Sequence, residues 1–452
     1  MRIKQISVSG LFGIFDHVIQ LNMNERITII HGPNGFGKTA ILRILNSFFN
    51  SRYADLRAIP FRNFRVEFDD TTIVEIIKNS ENVEDSETNN IGFKFYKHDS
   101  QPFYFALKQL NTRSDREVFI SYGSDDMIRE SEQIYPLLFR NYFTERTLSS
   151  EDSEEVYDGL SSLKLKLKKK PDWLEKLKSN IPIRLIESQR LLNFVPNRSS
   201  KRSAETPSML STVSAYSDEL AKLMQDKFKE YGTTSQSLDR TFPVRVVKQQ
   251  PSTDLTDEQL RHQLNELEAT RSRLIEVGLL DKDEDAEFQI QPQDIDKSTK
   301  NALSVYVEDV EKKLSVFAEI ASKIDLLRKI INNKFAYSYK EINFSKDKGF
   351  VFTTLYNSSL SDSKALSPTD LSSGEQHELV LLYELLFKVQ PNSLVLIDEP
   401  ELSLHVGWQV QFLKDLQDIT QLADLNILMA THSPDIIQDR WDLTVELKGP
   451  QK

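Results

Sequence analysis

The stretch RITIIHGPNGFGKTAILRILNSFF, residues 26–49, changes its pattern twice. Arg26 to Ile30 is rich in isoleucine and threonine, as a buried strand is. GPNGFGKT, Gly32 to Thr39, follows as a glycine-rich turn. Beyond it Ile41, Ile44, Leu45 and Phe48 fall at i, i+3, i+4 and i+7, the apolar stripe of a helix. Strand, glycine-rich turn and helix in this order predict an α/β core carrying a phosphate-binding loop. Such a loop needs backbone N–H groups converging on an anion, here those of Gly32, Asn34, Gly35, Gly37, Lys38, Thr39 and Ala40. Gly35 and Gly37 are expected to let the chain approach the anion without side-chain obstruction. Lys38 supplies a point charge to the outer phosphates, and the Thr39 hydroxyl is a candidate magnesium ligand.

Far along the chain, the apolar run Leu394 to Ile397 ends in Asp398 and Glu399. Two acids after a buried strand have separable tasks: Asp398 holds magnesium, and Glu399 polarises the water that attacks a γ-phosphate. Upstream stands LSSGEQHE, Leu371 to Glu378, followed by a leucine-rich helix. Ser372 or Ser373 is the expected N-cap and Gly374 gives close backbone access, which makes this helix start a second candidate anion site. Asn426 to Ala430 reads as another buried strand, delivering Thr431 and His432. A histidine there can bond a phosphate or the attacking water.

In this order the four elements resemble the ABC ATPase family: Walker A at Gly32 to Thr39, signature at Leu371 to Glu375, Walker B at Leu394 to Glu399, and switch histidine at His432. The resemblance implies ATP and Mg2+ as cofactors and a head-to-tail dimer or higher homo-oligomer. In it, Ser372 and Gly374 of one copy cover the phosphate held by Lys38 of the other. It implies ATP hydrolysis with Glu399, His432 and Lys38 as catalytic residues, and Thr39, Asp398 and a linking glutamine on the metal. The candidate glutamine is Gln189, in the strand-like IPIRLIESQR of residues 181–190; a polar residue ending a strand is the other reading. The implied fold is an ABC-type head, a mixed sheet with a P-loop core and an antiparallel β subdomain, with an inserted α-helical coiled-coil arm.

After Glu399 the chain reads PELSLH, with His405 where an aspartate stands in transporters and chromosome-organising ATPases. EPELSLH followed by THSPDII looks like the OLD-type, RecF-related branch and argues against a transporter motor. Many OLD-type proteins continue into a TOPRIM nuclease, which needs on the order of a hundred residues. Only Ser433 to Lys452 follow His432, so the nuclease is expected on another chain. That arrangement resembles the stand-alone ATPase subunits of bacterial phage-defence pairs, the AriA type of PARIS ahead of the PtuA type of Septu. The partners so implied are a separate nuclease effector, TOPRIM ahead of HNH, and a phage-encoded trigger. The alternative is a RecF- or SMC-like DNA-repair ATPase, which would bind DNA directly in a salt-sensitive way.

In the middle, Leu260, Leu264, Leu267 and Leu274 recur at near-heptad steps, and Leu303, Val307, Val310, Leu314, Phe317 and Ile324 continue them. They predict facing helices in an antiparallel pair, the second running from about Asn301 to Asn333 over roughly 50 Å. The arm either transmits movement of the signature helix or serves as a passive oligomerisation device. Polar stretches at Lys248 to Asp257 and Asp281 to Asp296 mark loops. The expected organisation is 1–205 and 337–452 for the two parts of the head and 206–336 for the insert.

Composition bounds the rest. Among 452 residues 39% are apolar, enough for one large core and a second unit. The formal charge of −11 opposes a simple nucleic-acid coating role. The basic run KLKLKKK, residues 164–170, suits a solvated face, a strand edge or a nucleic-acid contact. No cysteine is present, which excludes disulfides, thiolate catalysis and zinc knuckles. No apolar run of membrane-spanning length and no secretion signal are seen, so a cytoplasmic location without membrane attachment is expected.

Overall fold

The computed structural model describes residues 1–78, 91–97, 103–109, 117–122, 172–187, 192–193, 210–248, 256–282, 296–354 and 365–450. Gln189 and the basic run 164–170 lie outside these residues, as do most of the two polar loop stretches. The chain forms two compact units, the first made of Met1–Glu187, Gln390–Glu401 and Asp424–Lys452, the second of Ser188–Val389 and Leu402–Ala423. Of the expected boundaries, 205/206 lies outside the described residues and 336/337 falls within the second unit.

The first unit holds two sheets. Strands β1 (Ile3–Leu11), β2 (Phe15–Gln20), β4 (Asn63–Phe68), β5 (Ile73–Lys78), β6 (Ile91–Tyr96), β7 (Phe103–Gln109) and β8 (Glu117–Tyr122) make an antiparallel sheet in the order β2-β1-β4-β5-β6-β7-β8. In β2 and β4 every second residue is buried, the period of a sheet with one face on the core. The other sheet runs β17-β3-β16-β15-β9, from Thr444–Glu446, Ile27–His31, Asn426–Ala430, Leu394–Asp398 and Ile183–Ile186, and all its pairings are parallel. In β3 and β15 the first four residues are buried in succession, the mark of a strand covered on both faces. The mixed character expected of the head is thus divided between one parallel and one antiparallel sheet. Helix α1 (Lys38–Phe49) buries Ile41, Leu42, Ile44, Leu45, Phe48 and Phe49 in the core that both sheets share. The short helices α2 (Tyr53–Ala58) and α3 (Asp172–Asn180) add Tyr53, Leu56, Leu174 and Leu177 to it.

The second unit begins with the short pair β10 (Leu192–Asn193) and β11 (Leu210–Ser211), then helix α4, Thr212–Lys248. α4 has 37 residues and lies within the segment 206–336 expected as a helical insert, although no single helix over these residues was expected. Its fully buried positions stop at Met224; beyond it Phe228, Tyr231, Leu238 and Phe242 continue at helical spacing but are only half-buried, and Pro243 reads as a helix breaker. Around that proline Arg245 bonds the Leu238 carbonyl (2.9 Å) and forms a fork to Asp309.

Helices α5 (Asp257–Glu276), α6 (Lys297–Ser315) and α7 (Ala318–Phe335) correct two expectations. The long helix expected over 301–333 is broken at Val316–Phe317, where Phe317 is fully buried with its ring 5.3 Å from that of Tyr231. The break keeps the apolar rhythm, so periodicity passes over it. Direction is the second correction. Lys300 pairs with Asp257 at 2.9 Å and Arg328 with Glu276 at 2.9 Å, so α5 runs parallel to α6 and α7. The antiparallel neighbour of α6 is α4, through Asn301 to the Val246 carbonyl and Lys313 to Asp239. Heptads say which faces meet, not which way each helix runs, and the segment joining α5 to α6 is long enough to bring the chain back.

The base of this unit is the sheet β12 (Lys340–Ser345), β13 (Gly349–Thr354) and β14 (Ala365–Leu366), with α8 (Ser373–Tyr383) and α9 (Val406–Ala423). In the first unit, the four-residue α10 (Pro434–Ile437) precedes β17. Among the described residues no helix is long and apolar enough to cross a membrane.

Candidate functional site

Register places the site. On β16, Ala430 pairs with Ile30 of β3 on one side and with Asp398 of β15 on the other. The three strands therefore end level, and the segments leaving them at Gly32, Glu399 and Thr431 share one edge. The carboxyl ends of parallel strands are where open α/β sheets bind ligands.

From β3 the chain turns through Gly32, Gly35 and Gly37, all with positive φ, into α1. Gly35 faces open space, so its glycine is required by φ of 83° and not by crowding. At Gly37 both reasons hold: φ is 92°, and a Cβ would run into the Leu11 side chain. Gly37 is also the N-cap of α1 and has no side chain to satisfy the first-turn amides, nor is there an acidic residue in that turn. Those amides and the helix dipole are left for an anion.

Lys38 is almost buried, and its Nζ donates to the carbonyls of Gly32 (2.7 Å) and Pro33 (3.0 Å), curling the side chain back over the loop. Burial pulls this ammonium below the usual lysine range, while Glu399, Glu401 and Asp398 hold it up in part. Thr39 Oγ1 donates to Asp398 Oδ1 at 3.0 Å. Burial raises the Asp398 carboxyl above its usual range, the Thr39 bond opposes this, and the Glu399 charge adds to it.

Thr39 and Asp398 thus present two hard oxygens side by side, which fits a magnesium ion held by one carboxylate, one hydroxyl, waters and substrate phosphates.

Glu399 has φ of 45°, a left-handed conformation that costs energy for a residue with a side chain and is typical of functional turns. Its amide donates to the Ala430 carbonyl at 2.9 Å, and its Oε1 lies 2.7 Å from His432 Nε2. The backbone N–H of His432 donates to Glu401 Oε1 at 2.6 Å. Glu401 was not among the sequence candidates. It is visible in EPELSLH, but its partner lies 31 residues away and nothing local announces the contact.

The residues of LSSGEQHE, Leu371 to Glu378, belong to the second unit. Ser372 is the N-cap of α8 in a full capping box: Ser372 N–H donates to Glu375 Oε2 (2.7 Å), and Glu375 N–H donates to Ser372 Oγ (3.3 Å). Ser372 and Ser373 are exposed and Gly374 is half-buried. Burial pushes the Glu375 carboxyl up, yet bonds from Lys340 (2.8 Å) and Ser338 (2.6 Å) hold it below its usual range. That carboxylate is occupied within its own unit. The His405 carbonyl accepts from Trp408 N–H (2.8 Å), and its ring Nδ1 accepts from Gly407 N–H (3.2 Å), so this residue caps α9.

The structure brings Lys38, Thr39, Asp398, Glu399 and His432 together at one sheet edge within one unit. It places Ser372 and Gly374 at an exposed helix start, while Gln189 lies outside the described residues.

The family model described as "AAA ATPase domain" matches residues 1–437. Septu protein PtuA of Bacillus thuringiensis is 35% identical over 77 residues, which is 17% of this chain and 19% of PtuA. The matched region therefore spans about a fifth of PtuA's length. The Smc head domain of Pyrococcus furiosus, solved with an extended coiled coil and bound to the C-terminal domain of ScpA, is 13% identical. Its TM-score is 0.30, over 99% of this chain and 94% of that one. The SMC head domain of Thermotoga maritima is 10% identical, with a TM-score of 0.31 over 97% and 92% of the two chains. Matched by the family model from Met1 through His432 and beyond, the chain belongs to the AAA ATPase domain family.

Proposed function

We propose that the chain hydrolyses ATP in composite sites formed between two copies of itself, and that it thereby controls a separate nuclease effector in bacterial defence against phage. The observation that carries the ATPase chemistry is the level ending of β3, β15 and β16, which sets an uncapped helix start, a buried lysine and three carboxylates around one space. In this reading the loop amides and Lys38 hold the phosphates. Thr39, Asp398 and Gln189 serve Mg2+, which, when bound, neutralises phosphate charge. Glu399 accepts the proton of the attacking water, and His432, held by Glu399 and Glu401, contacts the γ-phosphate. Lys38 and the exposed Ser372, with the half-buried Gly374 in the first turn of α8, then come from different copies.

Mixing two dead variants tests the composite site. Lys38→Ala and Ser372→Arg should each be inactive as pure homodimers. Their equal mixture should recover about a quarter of wild-type hydrolysis, the share of intact sites in a random two-fold dimer. No recovery, with mixed dimers confirmed by mass, would place both residues in one copy's site.

The defence role is supported by the likeness to Septu PtuA, and the effector is a nuclease of TOPRIM type ahead of HNH. Cells carrying this gene together with the genes that flank it should resist phage, and Lys38→Ala should restore plaque numbers to those of unprotected cells. Equal plaque counts with and without the wild-type gene pair would remove the defence role and leave the ATPase reading standing. The segment 206–336 acts as the arm through which nucleotide state is passed to partners.

A further inference from the structure

His17 has no part in the chemistry just described, yet it is the buried titratable group that touches the phosphate loop from outside. It lies on β2, opposite Val8 of β1, and is 5% exposed. Its Nε2 sits 2.9 Å from the carbonyl oxygen of Phe36, the residue between Gly35 and Gly37 in GPNGFGKT. A carbonyl only accepts, so Nε2 carries the hydrogen and donates it. The ring is clamped in that direction: it stacks on Phe15 at 5.7 Å, and Phe15 in turn meets the Phe36 ring at 5.1 Å. The same hairpin touches the loop at a second point, where Leu11 leaves no room for a Cβ on Gly37.

The consequence follows from peptide geometry. In a trans peptide the C=O and the N–H point in opposite directions. Fixing the Phe36 carbonyl toward His17 therefore turns the Gly37 N–H of the same peptide away from the hairpin, toward the side on which the first-turn amides of α1 lie open. A glycine with φ of 92° follows, and a residue so free to rotate needs an external hold to keep one peptide orientation. We propose that His17 is a positioning residue of the nucleotide site, which donates its Nε2–H to the Phe36 carbonyl and so keeps the central peptide of the phosphate loop turned for anion binding. This rests on reading the loop as the ATP site. Burial lowers the His17 pKa below the usual histidine range, with the Phe36 bond and Asp16 opposing, so the neutral ring with hydrogen on Nε2 suffices for the contact.

The test compares His17→Phe, which keeps a ring against Phe15 but has no donor, with His17→Gln, whose amide nitrogen reaches as far as Nε2. MgATP affinity is measured by calorimetric titration beside the melting temperature of the nucleotide-free proteins. The expected result is roughly tenfold weaker MgATP binding for His17→Phe, the effect of an abandoned buried acceptor, and affinity within about twofold of wild type for His17→Gln. A purely structural role would lower the melting temperature of His17→Phe and leave its affinity untouched, and that outcome overturns the proposal. Should His17→Phe not fold, loss of affinity in His17→Gln would equally overturn it. Nitrogen-15 spectra of the wild-type protein give an independent reading: a His17 ring with bare Nε2 and hydrogen on Nδ1 contradicts the assignment whatever the affinities. If the wild-type protein itself binds no MgATP, the ATP reading of the loop fails and the proposal falls with it; binding by wild type with unchanged binding by His17→Phe removes the proposal alone.

Discussion

Glu399→Gln is expected to lower ATP hydrolysis by about two to three orders of magnitude, the usual contribution of a positioned general base, while MgATP remains bound. Glutamine keeps the shape of the side chain, and an amide can still meet His432 Nε2 at the 2.7 Å separation seen for the carboxylate. What it loses is the capacity to take a proton from water. The Thr39–Asp398 pair and the Lys38 loop contacts involve other atoms, so binding is preserved. Removing one of three carboxylates beside the lysine also lessens repulsion of the phosphates, which favours retention of ATP. Single-turnover hydrolysis and nucleotide retention on a desalting column check both halves. Undiminished turnover would move the proton acceptor elsewhere; loss of binding would make Glu399 a structural element of the loop.

Lys334→Met is expected to destabilise the protein by about 3–5 kcal/mol, the range for breaking a buried ion cluster by removing one partner. Lys334 at the end of α7 is 1% exposed and pairs with Glu378 of α8, itself fully buried, and with Asp415 of α9 at 2.8 Å. Burial alone would lower this ammonium, but the two carboxylates override it and hold it above the usual lysine range. Methionine fills similar volume and supplies no charge, so two carboxylates face each other without a cation. For Asp415 burial raises the folded carboxyl above its unfolded value, and Lys334 opposes the rise. A carboxyl raised in the folded state takes up a proton on folding, so its contribution to stability falls as pH rises through that range. Without Lys334 the rise is larger, and the penalty should shrink from mildly alkaline to mildly acidic buffer. Urea unfolding at both pH values measures it; a penalty below about 1 kcal/mol, as for a solvated pair, would mean that the cluster opens to water. The ion cluster joins α7, α8 and α9, so a folded variant also serves to test their coupling.

The parts of this molecule that were legible in advance are those written in contiguous residues. The strand before Gly32, the apolar stripe of α1, the buried strands before Asp398 and Thr431 and an N-cap at Ser372 or Ser373, of which the structure uses Ser372, each follow from a period, a burial run or a cap chemistry. α4 was not legible as one helix, because Pro243 lies inside it and its apolar positions beyond Met224 are sparse and only half-buried. The break at Val316–Phe317 escaped because one turn of irregular backbone leaves the apolar spacing intact.

By itself, then, the sequence determined the local elements and the kinds of chemistry available at their ends. Only the tertiary structure decided that Thr39 meets Asp398 across 359 residues, that His432 stands between Glu399 and Glu401, and that His17 reaches the middle of the phosphate loop. It also decided that α5 runs parallel to α6. The physical reason is that these contacts are set by strand order, strand register and the closure of long connections. A one-residue slip of β15 against β16 would carry Asp398 to the other face of its sheet, and no local spacing in the chain records that register.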